Sequence, residues 1–188
     1  VFDKTAYVNS QFFQDVPGYQ GYVDYNNNTF YFLAQFQHRI INKVYGGVNF
    51  SYIDQHTEFA DDAAPPEVSK RVGIGAIVTL DTRDSIYYPR SGYLSTTKFN
   101  SVPDFLGNEY VSNTITTDLN HYQGILGQRD VIALRAYLGI GLGDLSFSQQ
   151  FVVNNVDLRG YTQGRYRGKQ IAAVQGEYRY NPFKKVGF

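Results

Sequence analysis

The chain has 188 residues, equal numbers of basic and acidic side chains (17 each), 17 Tyr and 14 Phe, and no Cys, Met or Trp. Zero Cys excludes a disulfide scaffold and thiolate metal sites, and a net charge of zero gives no support to general nucleic-acid binding. A mean hydropathy of −0.36, with no apolar run of about 18 residues, excludes a helical membrane protein, while the aromatic content argues against disorder.

Sustained helical spacing is absent, and alternation with the period of a two-faced strand recurs instead. In chain order the predicted strands are 5–14, 30–39, 44–59, 71–83, 93–100, 111–122, 131–143 and 172–180. In the third, Val44, Gly46, Val48, Phe50 and Tyr52 share a face. In the fourth, Val72, Ile74, Ala76, Val78 and Leu80 oppose Arg71, Gly73, Gly75, Thr79, Asp81 and Arg83, with Ile77 out of pattern. In the seventh, Ile132, Leu134, Ala136, Leu138, Ile140 and Leu142 oppose Ala133, Arg135, Tyr137, Gly139 and Gly141. In the last, Val174, Gly176, Tyr178 and Tyr180 oppose Gln175, Glu177 and Arg179.

The connections alternate between long or medium (15–28, 61–70 and 144–170 long, 101–108 medium) and short (40–43, 84–92, 123–130, 181–185). Strands near the roughly 10 residues that cross a bilayer at a tilt, joined by alternating long loops and short turns, describe an outer-membrane barrel. Alternation alone also fits a soluble β-sandwich, whose apolar face points into a core. The strands are long for a sandwich, where about 5–6 residues is usual. Their polar faces carry glycines and paired charges, and Tyr22, Tyr25, Phe59, Tyr87, Tyr88, Tyr122, Tyr178 and Tyr180 near the strand ends suit an interfacial aromatic belt.

Two segments carry a resemblance. The first is Thr79-Leu-Asp-Thr-Arg-Asp-Ser-Ile-Tyr-Tyr-Pro-Arg-Ser-Gly-Tyr93, of the form D-x-R-D followed by P-x-x-G between two strands. The second is Val156-Asp-Leu-Arg-Gly-Tyr-Thr-Gln-Gly-Arg-Tyr-Arg-Gly168, with Leu158, Arg159, Gly160 and Tyr161 at its centre in the longest loop. In this order and separation, among alternating strands, they resemble the BamA superfamily (the Omp-eighty-five outer-membrane assembly and translocation barrels).

The resemblance implies an all-β fold, an antiparallel transmembrane β-barrel of sixteen strands, of which residues 1–188 would supply about eight to nine. Periplasmic POTRA domains are not recognisable in the chain, and the terminal assembly signal expected of such a barrel is not evident at Pro182 to Phe188. The chain is therefore expected to be a partial barrel domain. Asp81, Arg83, Asp84, Pro89 and Gly92 would shape a periplasmic turn. The loop 144–170 would fold into the lumen, where Arg159 would bind an acid on the wall; Glu177, on the polar face of the following strand, is the candidate present.

Implied with the family are insertion of outer-membrane proteins or translocation of polypeptides, in a Gram-negative outer membrane. The expected partners are lipid, unfolded outer-membrane or secreted polypeptide clients, and accessory assembly lipoproteins, with no nucleic acid and no cofactor. A dedicated passenger-secretion barrel of the two-partner or patatin-fused type is the nearest rival, and a soluble β-sandwich binding module the rival of another class.

Catalysis is not expected. His38, His56 and His121 lack metal-ligand spacing, and no motif arranges Ser112, Asn120 and His121 as nucleophile and base. His56 lies two residues from both Asp54 and Glu58, a cluster that suits a solvated strand end.

Overall fold

A computed structural model describes residues 5–7, 22–59, 65–127, 129–153 and 167–181. The strands among them are β1 (Thr5–Tyr7), β2 (Tyr22–Ile41), β3 (Val44–Phe59), β4 (Glu67–Asp81), β5 (Gly92–Val102), β6 (Ser112–Ile125), β7 (Asp130–Gly143), β8 (Phe151–Val152), β9 (Arg167–Gly168) and β10 (Gln170–Arg179). Eight form one antiparallel sheet in the order β1-β2-β3-β4-β5-β6-β7-β10, and β8 pairs only with β9. Each ladder in the large sheet joins strands that follow one another along the chain, except that the β8–β9 pair intervenes between β7 and β10. Short 3-10 turns lie at Asp104–Leu106 and Phe147–Gln149.

The two faces of the sheet differ in an unusual sense. On β4 the alternate residues Ser69, Arg71, Gly73 and Ile77 are buried, whereas Val68, Ile74, Val78 and Leu80 are exposed, Val78 by 52%. On β7 the exposed set is Ile132, Leu134, Leu138 and Leu142. Register carries this parity across the sheet: Ile74 opposes Phe50, Val48 opposes Phe36, and Leu119 opposes Ala136. The apolar face is thus the uncovered one. A soluble sandwich has the reverse arrangement, because water penalises exposed apolar area by about 25 cal/mol per Å². Among the described residues no second layer packs on this face.

The exposed apolar stripes end at a common level. On β3 the stripe Val44–Tyr52 gives way to Asp54, His56 and Glu58, and on β4 it begins at Val72, just past Lys70. Lys70 Nζ lies 3.7 Å from Asp54 Oδ2, and His56 Nε2 lies 3.0 Å from Glu58 Oε1. Nine residues at about 3.3 Å each cover roughly 30 Å of strand. Tilted, that matches the apolar band of about 25 Å on a membrane barrel.

Above that level β2, β3 and β4 continue as a polar ridge. The sequence reading placed residues 22–28 in a loop; they are strand. Asn26, Asn27 and Asn28 have poor intrinsic strand preference, but their pairing with Glu58, Thr57 and His56 overrides it. Asn27 Oδ1 accepts hydrogen bonds from Thr29 Oγ1, Gln55 Nε2 and Thr57 Oγ1 on the covered face. At the top of β4, which there outruns β5, the Asn108 side chain stands in for a strand. Its Oδ1 accepts from Val72 N at 2.7 Å and its Nδ2 donates to Val72 O at 2.9 Å.

Candidate functional site

The turn after β4 is built from side chains closing on nearby backbone. Arg83 makes a bidentate pair with Asp81, Nε to Oδ1 at 2.9 Å and Nη2 to Oδ2 at 2.8 Å, and its own N–H returns to Asp81 Oδ1 at 3.1 Å. Asp84 Oδ1 accepts from the backbone N–H groups of Arg90 (2.9 Å) and Ser91 (3.2 Å). These donors, Arg90 first, hold the Asp84 carboxyl below the usual carboxylate range against a smaller desolvation effect. Pro89 is buried. Gly92 has φ of 101°, and a Cβ there would stand 2.4 Å from Thr82 O. Only glycine meets both conditions without strain.

The tip of this turn reaches far across the sheet. Asn181 Nδ2, just past β10, donates to Tyr88 Oη at 3.1 Å. The Arg179 guanidinium lies 5.5 Å from both the Tyr88 and Tyr122 ring centres. In a flat sheet at about 4.8 Å per strand, β5 and β10 would be about 14 Å apart, so the contact draws the sheet into a curve. Tyr122 shares the face of Asp118 and Asn120, and Phe59 is buried on the covered face. These two rings therefore leave the interfacial belt expected for them. Tyr178 stays in it, half exposed, with its hydroxyl 2.5 Å from Asp130 Oδ2.

Asp130 is a site residue that the sequence reading missed. It is 0% exposed, and besides Tyr178 it accepts from Asn181 N at 3.2 Å and Arg129 Nε at 3.2 Å. It ties the β6–β7 turn to the end of β10.

The covered wall carries ion pairs at Asp118 and at Glu177. Arg135 Nη2 lies 2.6 Å from Asp118 Oδ2, and Asn120 Nδ2 donates to Asp118 Oδ1 at 2.7 Å. Glu177 Oε1 accepts from Arg179 Nε at 2.7 Å. Arg135, Asn120, Tyr122, Glu177 and Arg179 border a cleft of ≈ 340 Å³.

The long loop after β7 turns onto this same face. Arg71 Nη1 donates to Ser146 Oγ and Ser148 Oγ, each at 2.6 Å, and its Nη2 donates to Gln55 Oε1 at 3.3 Å. Gln149 Nε2 donates to Ser112 Oγ at 2.8 Å. β4 is three strands from β7, so the loop stem runs inward across the wall. Its apolar side chains find space over two glycines. A Cβ on Gly139 would meet the Phe151 ring at 2.7 Å, and one on Gly141 would meet Leu145 Cδ2 at 2.4 Å. The other edge of the loop is fixed where Gly141 N donates to Lys169 O at 2.7 Å and Lys169 Nζ donates to Gly143 O at 3.0 Å.

Leu158, Arg159, Gly160 and Tyr161 lie outside the described residues, as do Pro182 to Phe188. Glu177 is described, on the covered face as its position in the alternation suggested. The three histidines fall at separate places on the exposed face. His38 opposes Gly46, His56 meets Glu58, and His121 stacks on Tyr93 with ring centres 4.3 Å apart. Among the described residues no group of three metal-ligating side chains converges.

No individual curated protein matches the chain. A family model described as the Omp85 superfamily domain matches residues 5–185. With an antiparallel meander, an uncovered apolar band and a polar covered wall, the chain belongs to the Omp85 superfamily, whose members are outer-membrane β-barrel proteins.

Proposed function

We propose that the chain forms part of the wall of a barrel in a Gram-negative outer membrane, and that this barrel inserts outer-membrane proteins or translocates polypeptides. The loop 144–170 then serves as an inward brace of the lumen. The observation that carries this reading is the course of the loop stem. Arg71 grips Ser146 and Ser148, and Phe151 and Leu145 lie over Gly139 and Gly141. The brace reading needs an acceptor for Arg159 on the wall that the stem crosses, and Glu177 and the cleft beside it would offer one. An arginine away from bulk water needs such an acceptor to offset its desolvation.

In this reading the short turns, including Asp81 to Gly92, face the periplasm, and the long loops and the polar ridge face outward. The exposed band contacts lipid. The clients are unfolded outer-membrane or secreted polypeptides, with accessory assembly lipoproteins on the periplasmic side. No covalent step is assigned to this chain, a view supported by the scatter of its histidines on the exposed face.

The test is Arg159→Ala in the complete protein, expressed in cells. We expect slower assembly or export of clients and lower heat stability of the barrel, by about 3–5 kcal/mol if a buried pair is broken. Wild-type values in both measurements would overturn the brace.

A further inference from the structure

Arg71 holds more than the loop stem. It is 5% exposed, and a buried cation normally has an anionic partner, because desolvation of an unpaired charge costs several kcal/mol. Its acceptors are two serine hydroxyls and one amide, all neutral. The Glu67 carboxylate acts on it electrostatically along β4, but without an ion-pair contact, so the guanidinium is only partly compensated. Three of its five N–H groups are engaged, leaving two for a further acceptor.

A cavity of ≈ 200 Å³ adjoins it beneath the stem, bordered by Asn100, Ser112, Thr114, Ser148 and Gln149 among others, with no acidic residue in its lining. Several donors converge there. Ser112 Oγ accepts from Gln149, so its own proton is free to point elsewhere. Asn100 adds an amide. A buried guanidinium beside hydroxyl and amide donors, in a lining that itself contains no carboxylate, makes an acceptor-seeking site.

We propose that this cavity binds a small oxyanion of phosphate or carboxylate type. The anion bridges the wall at Arg71 and Ser112 to the loop stem at Ser148. The site is distinct from the seat suggested for Arg159, and it does not depend on the transport reading.

The test uses the full chain folded in detergent micelles, titrated separately with inorganic phosphate and with acetate. Binding is followed by the NMR shift of the Arg71 Nε–H. Saturable binding of either ion is expected, weakened at least tenfold by Arg71→Gln and by Ser112→Ala. Ser112→Ala leaves the Arg71 grip on the stem intact and so reports even if Arg71→Gln fails to fold. Phosphate binding with acetate inert identifies a phosphate site, and the reverse a carboxylate site. No saturable response to either ion overturns the proposal. So does equal affinity in the wild type and Ser112→Ala, which would mark adventitious adsorption.

Discussion

At the scale of single residues, parity within a strand carried most of the information. Arg71, Asp81, Glu177 and Arg179 sit on the covered face because they alternate with apolar neighbours. Tyr122 carried the same signal, sharing its parity with Asp118 and Asn120, although its aromatic character pointed to the lipid border. Asp130 gave no such signal. An acid opening a strand after a short turn looks like a solvated turn residue, and its partners Tyr178 and Asn181 arrive from about fifty positions away. The turn glycine can be tested directly. Gly92 and Gly107 both have positive φ, but a Cβ on Gly92 meets backbone at 2.4 Å while one on Gly107 meets nothing within 4 Å. Gly107→Ala should cost about 1 kcal/mol and Gly92→Ala about 3 kcal/mol. Urea unfolding of the chain in lipid vesicles measures both, and equal costs would show that the Gly92 turn relaxes freely.

At the scale of elements, six of the eight expected strands lie within a few residues of their sequence positions, from 44–59 to 172–180. Hydrophobic alternation marks membrane-depth strand well because lipid imposes it on one face. It fails above the membrane, where both faces of β2 meet polar surroundings and Asn26 to Asn28 can join a ladder without an apolar stripe. The β8–β9 pair, two residues long on each side, was invisible for the same reason. Ile77 broke the pattern of β4 and is 3% exposed on the covered face, under neighbours that no local pattern encodes. Ile74, at mid-height of β4, and Thr116, on the covered face of β6, make a matched comparison. Ile74→Arg should destabilise the membrane-folded chain by about 2–4 kcal/mol, and Thr116→Arg by much less. Similar losses in a denaturant titration in vesicles would mean that the faces have been assigned the wrong way round.

At the scale of the molecule, the fold class was legible and the interior was not. Long-short loop alternation and two motifs are local features, whereas the grip of Arg71 on Ser146 and Ser148 spans 75 and 77 positions and the Tyr88–Asn181 contact spans 93. The exposed apolar band predicts that the full chain aggregates in water and gains strand circular dichroism only with detergent or lipid. A soluble monomer without either would overturn the membrane reading. The distant contacts also impose an order in time. Hairpins such as β2–β3 can form as soon as their two strands exist, since their closing turn is two residues. The Ser146–Ser148 stem can reach Arg71 only after β4, β5, β6 and β7 have aligned. Once the wall has curved toward Asn181, Phe151 and Leu145 have to be in place over their glycines already. Packing the interior is therefore scheduled between hairpin formation and final curvature, and a loop that is late leaves a wall curved around nothing.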